Sequence, residues 1–145
     1  MGAVERKFVS LDSATGRRNG AGFRTCQGLY YRPKASVPKV AFIATHYDAD
    51  FSEHYLAERM AARGFGFLGW NTRFRGNEPF FLLEHAPIDI GAGVDWLKTG
   101  AGVDVVVLLG NSGGGSLMAA CQSQSIGVTM QATPGFRIPR GRCGN

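Results

Sequence analysis

The chain has 145 residues, 44% of them hydrophobic and 19% charged, with 21 glycines. That is room for one domain with a core, which excludes wholesale disorder, and no apolar run approaches the roughly eighteen residues of a membrane helix. The net charge of +5 does not make a nucleic-acid footprint: thirteen basic residues meet all eleven acidic ones within residues 1–125, and the last twenty add Arg137, Arg140 and Arg142.

Met1–Lys7 carry Glu5, Arg6 and Lys7 with no apolar stretch, so no secretory signal is expected. Arg6 stands where a myristoylation signal wants Ser or Thr. The three cysteines, Cys26, Cys121 and Cys143, are far apart and odd in number. They read as reduced thiols of a cytoplasmic protein, with no metal spacing.

Residues 5–11 and 23–32 read as two strands, built on Phe8, Val9 and Leu11, then Phe23, Leu29, Tyr30 and Tyr31. The stretch between them, with Gly16, Arg17, Arg18, Asn19 and Gly20, is turn chemistry. After a linker over Pro33–Pro38, Val40–Ala44 is a continuous apolar run, the pattern of a strand covered on both faces. A helix is predicted from Ser52 to Arg63, with Ser52 as N-cap and Gly64 in the C′ position. Phe65–Trp70 is the next buried strand, and Asn71–Pro79 is a loop containing Arg73, Arg75 and Gly76.

A second helix is predicted over Ala86–Lys98, with Pro87 in its first turn and Ile90, Val94 and Leu97 as its apolar stripe. Val103–Leu109 reads as a third buried strand and Ser112–Gln124 as a third helix. Strand and helix alternate, which predicts an α/β fold with a mostly parallel sheet. From Ile126 onward Gly127, Pro134, Gly135, Pro139, Gly141 and Gly144 end the pattern, so residues 126–145 read as an irregular Gly/Pro/Arg-rich tail to a 1–125 domain.

The segment that carries chemistry is Val105 to Ala120, where Gly110-Asn111-Ser112-Gly113-Gly114 lies between the third buried strand and the third helix. Gly-x-Ser-x-Gly in that context is a nucleophile elbow. The turn must be tight enough to strain the serine, and small residues two before and two after it keep strand and helix from clashing. Ser112 then stands at a helix N-terminus, with the Gly113 N–H placed to bind a developing oxyanion. No lysine follows the glycines, so this is no phosphate-binding P-loop.

With these residues the chain resembles the α/β-hydrolase family over roughly residues 5–125. The resemblance rests on the two leading strands, the strand ending at His46, the helix from Ser52, Phe65–Trp70, and above all Gly110–Gly114. It implies a three-layer α/β/α sandwich holding strands one to five and helices A to C of an eight-stranded sheet. It implies an esterase-like activity through an acyl-serine: Ser112 is the nucleophile, Gly110 and Gly114 are the elbow glycines, and Gly113 and Tyr47 are the oxyanion donors. Tyr47 lies in the loop His46–Phe51, which lacks the family's usual glycines. A small acyl substrate is implied, with no metal or cofactor.

A serine nucleophile needs a base. In the family an acid and then a histidine follow the serine, but no Asp, Glu or His follows Ser112 here. His46 reads as a hydrogen-bonder that orients its loop, His54 as a helix-surface residue, and His85 as a loop residue or cap. The sequence therefore predicts a truncated amino-terminal copy with little or no turnover, whose fifth strand is an exposed edge. The acid-free tail has the composition of a frame change in a GC-rich coding sequence. Three alternatives stay open: a non-catalytic anion-binding or interaction domain, a half-enzyme completed by a second chain, and a homo-oligomer paired through that edge.

Overall fold

A computed structural model of the chain describes residues 2–13 and 25–130, the last six of them as helix backbone only. The elements are β1 (Val4–Asp12), β2 (Thr25–Pro33), β3 (Val40–Ala44), α1 (Ala57–Ala61), β4 (Gly66–Asn71), α2 (Ala86–Thr99), β5 (Val105–Leu109) and α3 (Gly113–Met130). The expected turn between the first two strands, with Arg17 and Arg18, lies outside the described residues.

The five strands form one sheet in the order β1-β2-β4-β3-β5. β1 and β2 pair antiparallel, as do β2 and β4, while β3 pairs parallel with both β4 and β5. The continuous apolar run of β3 has a direct explanation. Strand side chains alternate between faces, and here both faces are covered. Ala41 and Ile43 join one core cluster with Leu68, Trp70, Ile90, Val94, Leu97 and Leu117. Ala44 joins the other with Tyr31, Phe51, Ala57, Ala61 and Phe67, and Phe42 packs against it. Helices α2 and α3 thus cover one face and α1 the other, which is the expected three-layer arrangement. β4 is buried at every position.

Four expectations need correction. The first helix is a short α1 over Ala57–Ala61, not Ser52–Arg63, because Ser52 is engaged otherwise: its N–H donates to Asp50 Oδ1 (2.9 Å) and its carbonyl accepts from Tyr31 OH (3.0 Å). Its end is as expected, with Gly64 at φ 98°. β5 is less buried than its apolar run suggests, with Val105 half exposed, because it stands at the sheet edge, as expected of the fifth strand. α3 runs on to Met130, into the segment expected to be irregular, and residues 131–145 lie outside the described residues. Finally, Cys26 is a free buried thiol, its pKa pushed up to about 12 by burial, but Cys121 is disulfide-bonded rather than reduced. Cys143 lies outside the described residues.

No helix among the described residues is long and apolar enough to cross a membrane.

Candidate active site

β5 ends at Leu109 and α3 begins at Gly113, so Gly110, Asn111 and Ser112 make the whole connection. Ser112 has φ 53°, alone among the described non-glycine residues in the left-handed region. Such a conformation costs an L-residue about 1–2 kcal/mol and persists only where the surroundings fix it. The glycines show what fixes it. A Cβ on Gly110 would lie 2.8 Å from Gly115 Cα, and one on Gly114 would lie 2.0 Å from the Thr45 carbonyl oxygen at the end of β3. One on Gly113 would lie 2.1 Å from the Tyr47 ring. The turn closes with Gly114 N–H donating to Asn111 O and Gly115 N–H to Ser112 O, both 2.9 Å. Ser112 itself is exposed.

The loop between β3 and α1 folds back over this turn. His46 Nε2 accepts the Gly113 N–H at 3.1 Å. The Tyr47 ring stacks on the imidazole with centroids 4.6 Å apart. Asn71, at the end of β4, holds the loop: its side-chain oxygen accepts the Phe51 N–H (2.8 Å) and its Nδ2 donates to Asp50 Oδ1 (2.7 Å). Arg75 pairs with the other Asp50 oxygen through Nε at 2.8 Å. Partial burial works against the Asp50 charge, yet the Ser52 N–H, Arg75 and Asn71 together hold its carboxyl well below the usual range.

The structure therefore brings together Ser112, Gly113, Gly110, Gly114 and Tyr47, the residues singled out in sequence. His46 is the loop-orienting hydrogen-bonder expected, with its Nδ1 2.7 Å from Asp48 Oδ1.

His54 differs from expectation. It is buried, precedes α1 rather than riding its surface, and places Nε2 3.2 Å from the Asn111 side-chain amide. It packs between Tyr55 and Phe67, which stack on it at 4.6 and 5.2 Å. Burial pushes its pKa below the ordinary histidine value. His85 occupies the N-cap position of α2 without a side-chain capping bond.

Sequence reasoning also passed over a buried ion pair between the loop after β4 and α2. Asp89, in the first turn of α2, accepts from Arg73 Nε (2.9 Å), Arg73 Nη2 (2.6 Å), the Arg73 N–H (2.9 Å) and Ser13 Oγ (2.8 Å). Its carbonyl accepts from Trp70 Nε1 at 2.8 Å. The pair ties the loop after β4 to α2, and no local pattern announces it. Among the described residues no three His, Cys, Asp or Glu side chains are grouped as metal ligands.

No protein-family model and no curated protein sequence matches the chain. Solved structures do. Brefeldin A esterase, a bacterial homologue of human hormone-sensitive lipase, superposes with a TM-score of 0.66 at 18% identity, over 88% of this chain and 37% of its own. Esterase Est22 follows with 0.63 at 16% identity, over 86% and 40%. A cold-adapted esterase from an Arctic intertidal metagenomic library gives 0.59 at 16% identity, over 85% and 54%. The chain has an α/β-hydrolase fold. It spans about 37–54% of the length of these esterases, so it corresponds to a portion of that fold.

Proposed function

We propose that this chain carries the nucleophile region of a serine esterase that works through an acyl-serine, with Ser112 as the attacking group. The observation that carries the proposal is the φ of 53° at Ser112 between a strand and a helix. Left-handed strain at a non-glycine residue is costly and has no packing purpose at an exposed serine. It does present a hydroxyl at the carboxyl edge of a sheet, which is what an acyl transfer needs.

In this reading Gly110 and Gly114 permit the turn, and the Gly113 N–H stabilises the oxyanion. Tyr47 is the second donor by its position in the loop beside Gly113. The substrate is a small acyl compound, in keeping with the esterases that share the fold. No residue after Ser112 is an acid or a histidine, so turnover by the 145-residue chain is expected to be slight.

The experiment is hydrolysis of a short-chain p-nitrophenyl ester by the wild type and by Ser112→Ala. Whatever rate the wild type shows above buffer should vanish in the variant. Undiminished hydrolysis by Ser112→Ala would sink the assignment.

The anion-binding alternative draws on the same helix end: the Gly114 and Gly115 amides donate to backbone carbonyls, so it shares with the esterase reading the Gly113 N–H held by His46. Completion by a second chain gains support from β5, which stands at the sheet edge with Val105 half exposed. Size-exclusion chromatography tests it, and elution as a lone monomer counts against it.

A further inference from the structure

The three amides that open α3 are held in two different ways. Those of Gly114 and Gly115 donate to the carbonyls of Asn111 and Ser112, the backbone of the turn itself. That of Gly113 donates to a side chain, His46 Nε2, at 3.1 Å. Only this partner can leave by rotating a side chain rather than by unwinding the helix.

The imidazole is firmly placed, with its side chain 9% exposed. It stacks on Tyr47 with the ring planes 23° apart and lies against Phe51 at 5.3 Å. A neutral imidazole carries one N–H. Because Nε2 accepts from Gly113, the ring proton sits on Nδ1, which faces Asp48 Oδ1 at 2.7 Å. The Asp48 and Ala49 amides, each 3.2 Å from the same Nδ1, find no lone pair there in this tautomer. The shorter contact, to a carboxylate, decides the proton's position. Asp48 thus holds the ring in the form that makes Nε2 an acceptor.

We propose that His46 is a latch on the site, its Nε2 lone pair occupying the place an oxyanion would take at the Gly113 N–H. The proposal rests on Ser112 being the nucleophile. An oxyanion formed on an acyl group at Ser112 needs that N–H within hydrogen-bond reach. Imidazole and oxyanion compete for it, so the resting site is closed to the transition state. Opening takes rotation of His46 off Gly113, and the Tyr47 ring moves with it because it packs against the same glycine. Asp48 favours the closed form.

The test uses the full chain labelled with ¹⁵N. A through-hydrogen-bond coupling is sought between the Gly113 amide nitrogen and His46 Nε2. Phosphonylation of Ser112 by a fluorophosphonate is then timed in the wild type, His46→Ala and Asp48→Asn. The latch predicts the coupling in the wild type and phosphonylation about tenfold faster in His46→Ala, the factor expected from one hydrogen bond. Asp48→Asn should fall between. If the alanine variant does not fold, Asp48→Asn carries the same prediction.

Absence of the coupling, or equal rates, overturns the latch. A slower rate in His46→Ala also overturns it, and would make His46 the proton acceptor instead. Coupling without a Ser112 adduct in any of the proteins would leave the hydrogen bond standing and refute the nucleophile. The latch would then fall with it, by a route distinct from the others.

Discussion

His54 Nε2 lies 3.2 Å from the side-chain amide of Asn111, joining the loop after β3 to the residue just before Ser112. The Leu56 N–H donates to His54 Nδ1 at 3.3 Å. His54 Nδ1 therefore serves as an acceptor, which only a neutral ring can offer at that atom. The neutral ring is the one the fold needs, since an imidazolium could not accept from Leu56.

A pH dependence follows from this. Burial lowers the His54 pKa from its ordinary 6.5 in the folded chain. Above about pH 6.5 the ring is neutral folded or unfolded, and its contribution to stability is complete. Below that value the unfolded chain binds the proton first, so stability falls with pH until the folded pKa is passed. Urea midpoints measured from about pH 7.5 down to 5 should fall more steeply for the wild type than for His54→Gln. Parallel curves would show that His54 is not buried in neutral form.

The turn makes a paired prediction. Gly114→Ala drives a Cβ to 2.0 Å from the Thr45 carbonyl oxygen, backbone against backbone, whereas Gly115→Ala meets nothing within 4 Å. The first should cost about 3 kcal/mol or more. The second should stabilise α3 by about 0.5–1 kcal/mol, the helix preference of alanine over glycine. Ser112→Gly should stabilise by about 1 kcal/mol through relief of the strain at φ 53°. Denaturant unfolding reads all three, and equal effects at Gly114 and Gly115 would contradict the packing described.

The Arg73–Asp89 pair predicts a different pattern. Both side chains are buried, at 5% and 0% exposure, so removing one partner strands a charge in the core. Asp89→Leu should cost about 3–5 kcal/mol, and the double replacement Arg73→Met with Asp89→Leu should cost less than the single one. The double still leaves Ser13 Oγ and the Arg73 N–H without the Asp89 carboxylate, so it should not reach wild-type stability. Additive losses on unfolding would argue against a coupled pair.

The strands and the turn were legible because their signals are local. A continuous apolar run in Val40–Ala44, a C′ glycine at Gly64 and Gly-x-Ser-x-Gly at Gly110–Gly114 each state their own geometry. What the sequence hid depends on distant chain segments. His54 meets Asn111 across 57 residues and His46 meets Gly113 across 67. Ser52 has the chemistry of an N-cap, but Asp50 and Tyr31 capture its backbone first, and α1 starts five residues later. Asp89 sits beside the apolar stripe of α2, and only the fold brings Arg73 to it.

The proposal that Ser112, strained at the β5–α3 turn, is the reactive serine of an esterase-type site has a direct chemical consequence. It is tested most directly by treating the chain with excess fluorophosphonate and mapping every adduct by peptide mass spectrometry. A slow reaction with one dominant adduct, on Ser112 and absent from Ser112→Ala, is expected. Adducts spread over other serines such as Ser116 and Ser123, with Ser112 unmodified, would contradict it.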